Sequence, residues 1–129
     1  MAKQVVTTNN APGAVGPYSQ GIIANGFVYT AGQGPLIPGT KDIAEGGIQG
    51  QTRQVFENLK GILEAAGSSL DNVVKVNVYL QDMNDFAAMN EVYASYFTDA
   101  SALPARTTIQ AARLPMDIAV EIEAIATVD

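Results

Sequence analysis

Pro104-Ala105-Arg106-Thr107-Thr108-Ile109-Gln110-Ala111-Ala112-Arg113-Leu114-Pro115, followed by Ile118 to Thr127, is the stretch on which the reading of this chain turns. It reads as two β-runs joined by a short loop. Arg106, Thr108 and Gln110 alternate with Thr107, Ile109 and Ala111, so one face of the first run is polar and carries a guanidinium. In the second run Glu121 and Glu123 share one face, while Val120, Ile122 and Ala124 share the other. A loop centred between Leu114 and Pro115 makes the pair a hairpin, with Thr108 opposite Glu121 and Arg106 opposite Glu123. On that register an arginine, a hydroxyl and two carboxylates lie on one side of one hairpin, and a β-bulge would shift it. The same register also offers a plain structural role, an Arg106–Glu123 salt bridge across the strands.

Upstream, Lys3 to Thr8 is a first strand with a polar tail, and Asn9 to Pro17 is a loop rich in proline and glycine. Gly21 to Ala24 and Phe27 to Thr30 flank Asn25-Gly26, whose two residues both tolerate positive φ and so signal a tight hairpin. Gly32 to Gly47 has almost no periodicity and reads as a long loop of functional or packing importance. Its Gly32-Gln33-Gly34 is no phosphate loop, since the six-residue glycine pattern fails. Ile48 to Ala66 carries apolar or small residues at helical spacing, with Gly67 placed to end the helix. Val73 to Leu80 alternates, with Val74, Val76, Val78 and Leu80 on one face. Asp82 can cap a second helix whose stripe of Met83, Phe86, Met89, Tyr93 and Phe97 reads as core, with Asn90 off the stripe.

The order β-β-β-α-β-α-β-β predicts a single α+β domain over residues 1–129: a mixed β-sheet with two helices packed on one face. The other face carries Val, Ile and Ala positions and has no element left to cover it. Self-association is the economical solution, and symmetric homo-oligomers are the common outcome.

The chain has 129 residues, 47% of them hydrophobic and 16% charged, which fits a compact protein with a real core. A net charge of −6, with seven Lys and Arg scattered along the chain, argues against nucleic acid and anionic membranes as partners. No apolar run reaches the length of a membrane span, and the expected location is the cytosol. With no Cys and no His, thiolate nucleophiles, cysteine-type zinc sites and a Ser-His-Asp triad are all excluded. Catalysis must use carboxylates, Tyr, Lys, Arg, backbone groups and water.

Pro-Ala-Arg-Thr-Thr-Ile-x-x-Ala-x-Leu, five residues, then Val-Glu-Ile (Pro104 to Ile122) resembles the signature of the RidA (YjgF-like) family. Gly16-Pro17-Tyr18-Ser19-Gln20-Gly21, Thr30-Ala31-Gly32-Gln33, and Asp82-Met83-Asn84-Asp85-Phe86 through Asn90 resemble further blocks of that family, so the resemblance spans nearly the whole chain. It implies a chorismate-mutase-like α+β fold assembled as a homotrimer with clefts between subunits. The implied activity is hydrolysis of reactive 2-imino acids, or their enamine tautomers, to 2-keto acids and ammonia, with no cofactor and no metal. Arg106 would grip the substrate carboxylate. Glu121 matches the carboxylate that positions or activates water, and Tyr18 matches a tyrosine that orients the substrate. Backbone groups near Gly32 and the side chain of Asn90 would complete the lining. Two departures bear on substrate range: Ala31 stands where several members have Ser, and Thr108 where many have Cys. A different class of function, a non-enzymatic trimer binding small carboxylates as a sensor or chaperone-like module, fits the same resemblance. Some members are also described as ribonucleases or translation inhibitors, which the acidic balance of this chain disfavours.

Overall fold

The structure, a computed structural model, describes residues 2–128. Along them run β1 (Gln4–Val6), β2 (Gly21–Ala24), β3 (Phe27–Thr30), α1 (Gly47–Ala65), β4 (Val73–Leu80), α2 (Phe86–Tyr96), β5 (Ala105–Gln110) and β6 (Val120–Thr127). The strands form one mixed sheet in the order β1-β2-β3-β6-β4-β5. All pairs are antiparallel except β4 with β5. Two helices on a mixed sheet is the α+β architecture that the order of elements predicts.

The core lies between the sheet and the helices. Val55, Phe56, Leu59, Ile62 and Leu63 of α1 meet Val28 of β3, Val76, Val78 and Leu80 of β4, and Val120, Ile122 and Ala126 of β6, all of them buried. Burying such side chains supplies the main drive to fold, about 1.5–3 kcal/mol each. Phe56 also joins the helices: its ring stacks on Tyr96 at 4.7 Å between centroids and meets Tyr93 edge-on at 5.7 Å. The α1 helix ends where its sequence says it should. Gly67 takes φ +81°, so that its N–H donates to Glu64 O and Ser68 N–H donates to Leu63 O. Asn25 and Gly26 likewise hold positive φ in the β2–β3 turn.

Three sequence expectations need correction. The first concerns the opening stretch: β5 and β6 are not a hairpin, because β4 lies between them and pairs with both. The connection from Ala111 to Ala119 steps over the end of β4, with Ala111 N–H donating to Leu80 O and Gln81 N–H donating to Ala119 O. The rows across the sheet are therefore Ala124–Val76–Arg106 and Glu121–Tyr79–Ile109. Thr108 does not face Glu121, and the Arg106–Glu123 salt bridge is not formed. Second, a register shift between Val73 and Lys75 buries Val73 and leaves Val74 43% exposed, so Val74 is not on the face of Val76, Val78 and Leu80. Third, Asp82 accepts from Asn84 N–H at 2.9 Å and caps a short 3₁₀ turn ahead of α2, which leaves Met83 exposed and out of the core stripe.

The long loop after β3 is anchored by a buried polar residue that hydrophobic periodicity cannot flag. Asn58 of α1 is fully buried; its Nδ2 donates to Gly34 O (3.1 Å) and Leu36 O (2.8 Å), and its Oδ1 accepts from Gln54 (2.9 Å). Asn58→Ala should cost about 2–3 kcal/mol, because the loop carbonyls lose their donor as well as their bond energy. Urea denaturation measures the loss; a change within error would mean that the loop holds itself.

Candidate active site split over two sheet faces

Strand alternation decides where each candidate side chain goes. On β6, Val120, Ile122 and Ala124 turn to the helices, so Glu121 and Glu123 turn to the open face. On β5, Arg106 and Thr108 lie in the rows of buried Val76 and Val78 and therefore on the helix side. Within one chain the guanidinium and the carboxylate are on opposite faces of the sheet.

Around Glu121 the geometry comes from two loops. Gln33 N–H donates to Ile122 O at 2.8 Å and Ile122 N–H returns a bond to Gln33 O at 3.1 Å, which docks Gly32 beside the strand. A Cβ on Gly32 would meet the Glu121 carboxylate, so a larger residue here would displace that side chain from its present position. Buried Gln20 holds the preceding loop through Thr8 O (3.0 Å) and Pro12 O (2.8 Å), and its own carbonyl accepts from Ala31 N–H at 2.8 Å. That fixes Tyr18, which is 51% exposed, at the rim. Tyr18, Gly32 and Glu121 thus line one cleft of about 170 Å³, with apolar walls from Val15, Leu36 and Ile118. Ala31, next to Gly32 in sequence, is not among the residues lining this cleft, and its N–H is taken by Gln20 O.

The two glutamates of β6 differ in their partners. Glu123 accepts from Asn77 Nδ2 and Tyr79 OH, both at 2.9 Å. Its charge, through that hydrogen bond first, pushes the Tyr79 hydroxyl above its ordinary pKa. Glu121 has no such donors among the described residues. Burial raises its carboxyl above the usual carboxylate range, and the Glu123 charge on the same face adds to the rise.

On the helix side, Asn90 accepts a hydrogen bond from Arg106 Nη1 at 2.6 Å. The guanidinium carbon lies 4.5 Å from the Tyr93 ring centroid and 5.5 Å from that of Phe86. Asn90, expected off the apolar stripe, sits between two of its members and turns inward to the arginine. Thr108, two residues along, keeps a buried Oγ1 with no partner. Strand alternation picks out Arg106, Thr108 and Glu121, and the resemblance adds Asn90, Gly32 and Tyr18; Phe86 and Tyr93 are missed because an apolar stripe reads as core. Among the described residues, no three acidic side chains converge to hold a metal ion.

The open face also carries an apolar row, Val5–Ile22–Tyr29–Ile125, set by the register of β1, β2, β3 and β6. Val5 is 58% and Tyr29 43% exposed. This is the uncovered face that the element count anticipates.

Comparison with known proteins finds the family Endoribonuclease L-PSP matching residues 8–128. A RutC family protein of Pyrococcus horikoshii is 58% identical over 124 residues, covering 96% of this chain and 97% of the relative. The 2-iminobutanoate/2-iminopropanoate deaminase of Salmonella typhimurium is 46% identical over 124 residues, covering 95% and 96%. Among solved structures, yeast Mmf1 superposes with a TM-score of 0.94 at 44% identity, covering 99% of this chain and all (100%) of that one. E. coli TdcF with bound serine does so with a TM-score of 0.91 at 44% identity, covering 98% and 99%.

A carboxyl whose folded-state pKa is raised contributes stability below its unfolded value, and that contribution is lost as pH rises through the folded value. Glu121→Gln removes this loss. In the single chain, where no cation from a second copy faces Glu121, the variant should be more stable than the native sequence at about pH 7, with the gap closing as the pH falls below about 4. Chemical denaturation at the two pH values tests it, and equal stability at neutral pH contradicts an unpartnered carboxylate.

Proposed function

The chain belongs to the Endoribonuclease L-PSP family, also called RidA or YjgF-like, and on that premise we propose that it hydrolyses reactive 2-imino acids to 2-keto acids and ammonia. The observation that carries the reading is the unmatched pair: a guanidinium with an open edge on one sheet face and a carboxylate without a partner on the other. Each is half of a site for a small, zwitterion-like acid. They complete each other only between copies of the chain; with the homotrimer that the family resemblance implies, Arg106 from one copy faces Glu121, Gly32 and Tyr18 of the next. The apolar row Val5–Ile22–Tyr29–Ile125 supplies surface for that association.

The chemistry asks little of the protein. Arg106 holds the substrate carboxylate by parallel N–H bonds. The protonated imine carbon is already electrophilic; Glu121 accepts a proton from a water whose oxygen bonds that carbon. The proton passes from Glu121 to the nitrogen, the carbon–nitrogen bond breaks and ammonia leaves, and the carboxylate of Glu121 takes the hydroxyl proton as the ketone forms. A carboxyl with a raised pKa suits both halves of this exchange. Tyr18 orients the bound acid from the rim, and Thr108 Oγ1 is a donor without a partner on the carboxylate side.

The family's descriptive name does not carry a ribonuclease reading here. A charge of −6 and the absence of His give no phosphate-binding surface and no histidine acid–base pair. A second reading has one observation in its favour: the related E. coli structure holds serine, which has no C=N bond to hydrolyse. On that reading the cleft is a sensor for small amino or keto acids.

Generating 2-iminobutanoate with a threonine dehydratase and following 2-ketobutanoate separates the two. The native protein should accelerate release, and Arg106→Ala should lower kcat/KM by about 10²–10⁴-fold. A rate equal to the buffer blank leaves the sensor reading. Sedimentation should give three times the 13.5 kDa chain mass. Co-refolding Arg106→Ala chains with Glu121→Gln chains should recover about a quarter of native activity, the share of sites that pair two intact halves in a random ring. No recovery places both groups in one chain.

A further inference from the structure

Helix α2 does more than cover the sheet: we propose that Phe86, Asn90 and Tyr93 form a cradle reserving one edge of the Arg106 guanidinium, Nε with Nη2, for the acid end of the ligand. The inference rests on the reading of Arg106 as the group that holds the substrate carboxylate, and it names the residues that make that grip selective.

Residues 86, 90 and 93 fall at i, i+4 and i+7 and so share one face of α2. That face meets the arginine with two aromatic rings, at 5.5 and 4.5 Å, and one carbonyl oxygen at 2.6 Å. Asn90 takes Nη1 and nothing more. Among the described residues Nε and Nη2 have no hydrogen-bond partner. This is the side-on edge of the fork, with two parallel N–H bonds spaced to fit the two oxygens of a carboxylate. Arg106, Asn90 and Tyr93 border a cavity of about 430 Å³.

The rings hold the guanidinium by cation–π attraction and leave its hydrogen-bonding edge unspent, which a carboxylate partner in the same chain would not do. Tyr93 cannot swing away: it is 8% exposed and wedged between Phe56, at 5.7 Å, and Phe97, at 4.9 Å. The arginine is therefore placed before the ligand arrives, and binding loses less to side-chain ordering. Asn90 is on this account a positioning residue, in place of the lining role that the family resemblance implies. A lysine, with a point charge and no edge, cannot use the cradle.

Phe86 is half-buried, so Phe86→Leu keeps the bulk and removes the π face without emptying the core. Equilibrium binding of 2-ketobutanoate, measured by calorimetry, reads the cradle without turnover. Phe86→Leu should weaken binding about 3- to 10-fold and raise KM by more than it lowers kcat; Phe86→Tyr, which keeps the ring, should bind more tightly than Phe86→Leu. The Nε–Hε resonance of Arg106 in the free protein should be ring-shifted, and should move toward the position of an exposed arginine in Phe86→Leu. Native-like binding and an unmoved resonance in Phe86→Leu overturn the cradle while leaving the deaminase reading intact. If the native protein itself binds no keto acid, the reading of Arg106 falls and the cradle with it.

Discussion

The central constraint is the placement of β4 between β5 and β6, with hydrogen bonds of opposite polarity on its two edges. β5 reaches the sheet through α2 and must run parallel to β4; β6 returns over the end of β4 and runs antiparallel. Once both registers are set, side-chain parity is set with them. Val76 puts Arg106 on the helix face, Tyr79 puts Glu121 on the open face, and the core residues of β4 enforce both choices, because a slip of one residue would turn Val76, Val78 and Leu80 to water. The site is divided by the same pairing that closes the core.

Much of this was legible in the sequence, and the failures have physical causes. Element order, both helices, the Asn25-Gly26 turn and the Gly67 stop follow from periodicity and from backbone conformations that few residues accept. The uncovered face followed from counting layers. What failed was a long-range choice: two strand-like runs separated by a short polar stretch look like a hairpin, and nothing local says that a third strand will slide between them. Val74 failed because a bulge inserts one residue, and alternation read from sequence has no way to see the insertion. Phe86 and Tyr93 were read as core, which they partly are, yet an aromatic stripe has a rim, and there it can hold a cation as well as fill space. The residues around Arg106 and Glu121 came from the family resemblance; composition and spacing alone left a structural ion pair as an equal reading.

Polar groups left unmatched in a fold have a cost, and here the cost is confined to few places. Glu123 has two donors; Gln20 spends its side-chain amide on loop backbone, and Asn58 gives its Nδ2 to two loop carbonyls and its Oδ1 to Gln54. Against that background the bare carboxyl of Glu121, the open edge of Arg106 and the lone Oγ1 of Thr108 stand apart. The buried amides are the reason the exceptions can be held still. Gln20 ties the Tyr18 loop to the strand entering Gly32, and Asn58 ties the loop leaving it to α1. These ties hold the chain on either side of Gly32 beside the Glu121 carboxyl.

The sheet order has a further consequence for how the chain comes to exist. β6 is the last of the six strands to be synthesised, yet it occupies the middle of the sheet, joining β1-β2-β3 to β4-β5. Until it emerges from the ribosome, the earlier strands form two separate fragments with bare edges and no common core. Folding therefore closes by long-range pairing. A product stalled before Val120 lacks the strand that joins the two halves of the sheet and leaves the edges of β3 and β4 bare.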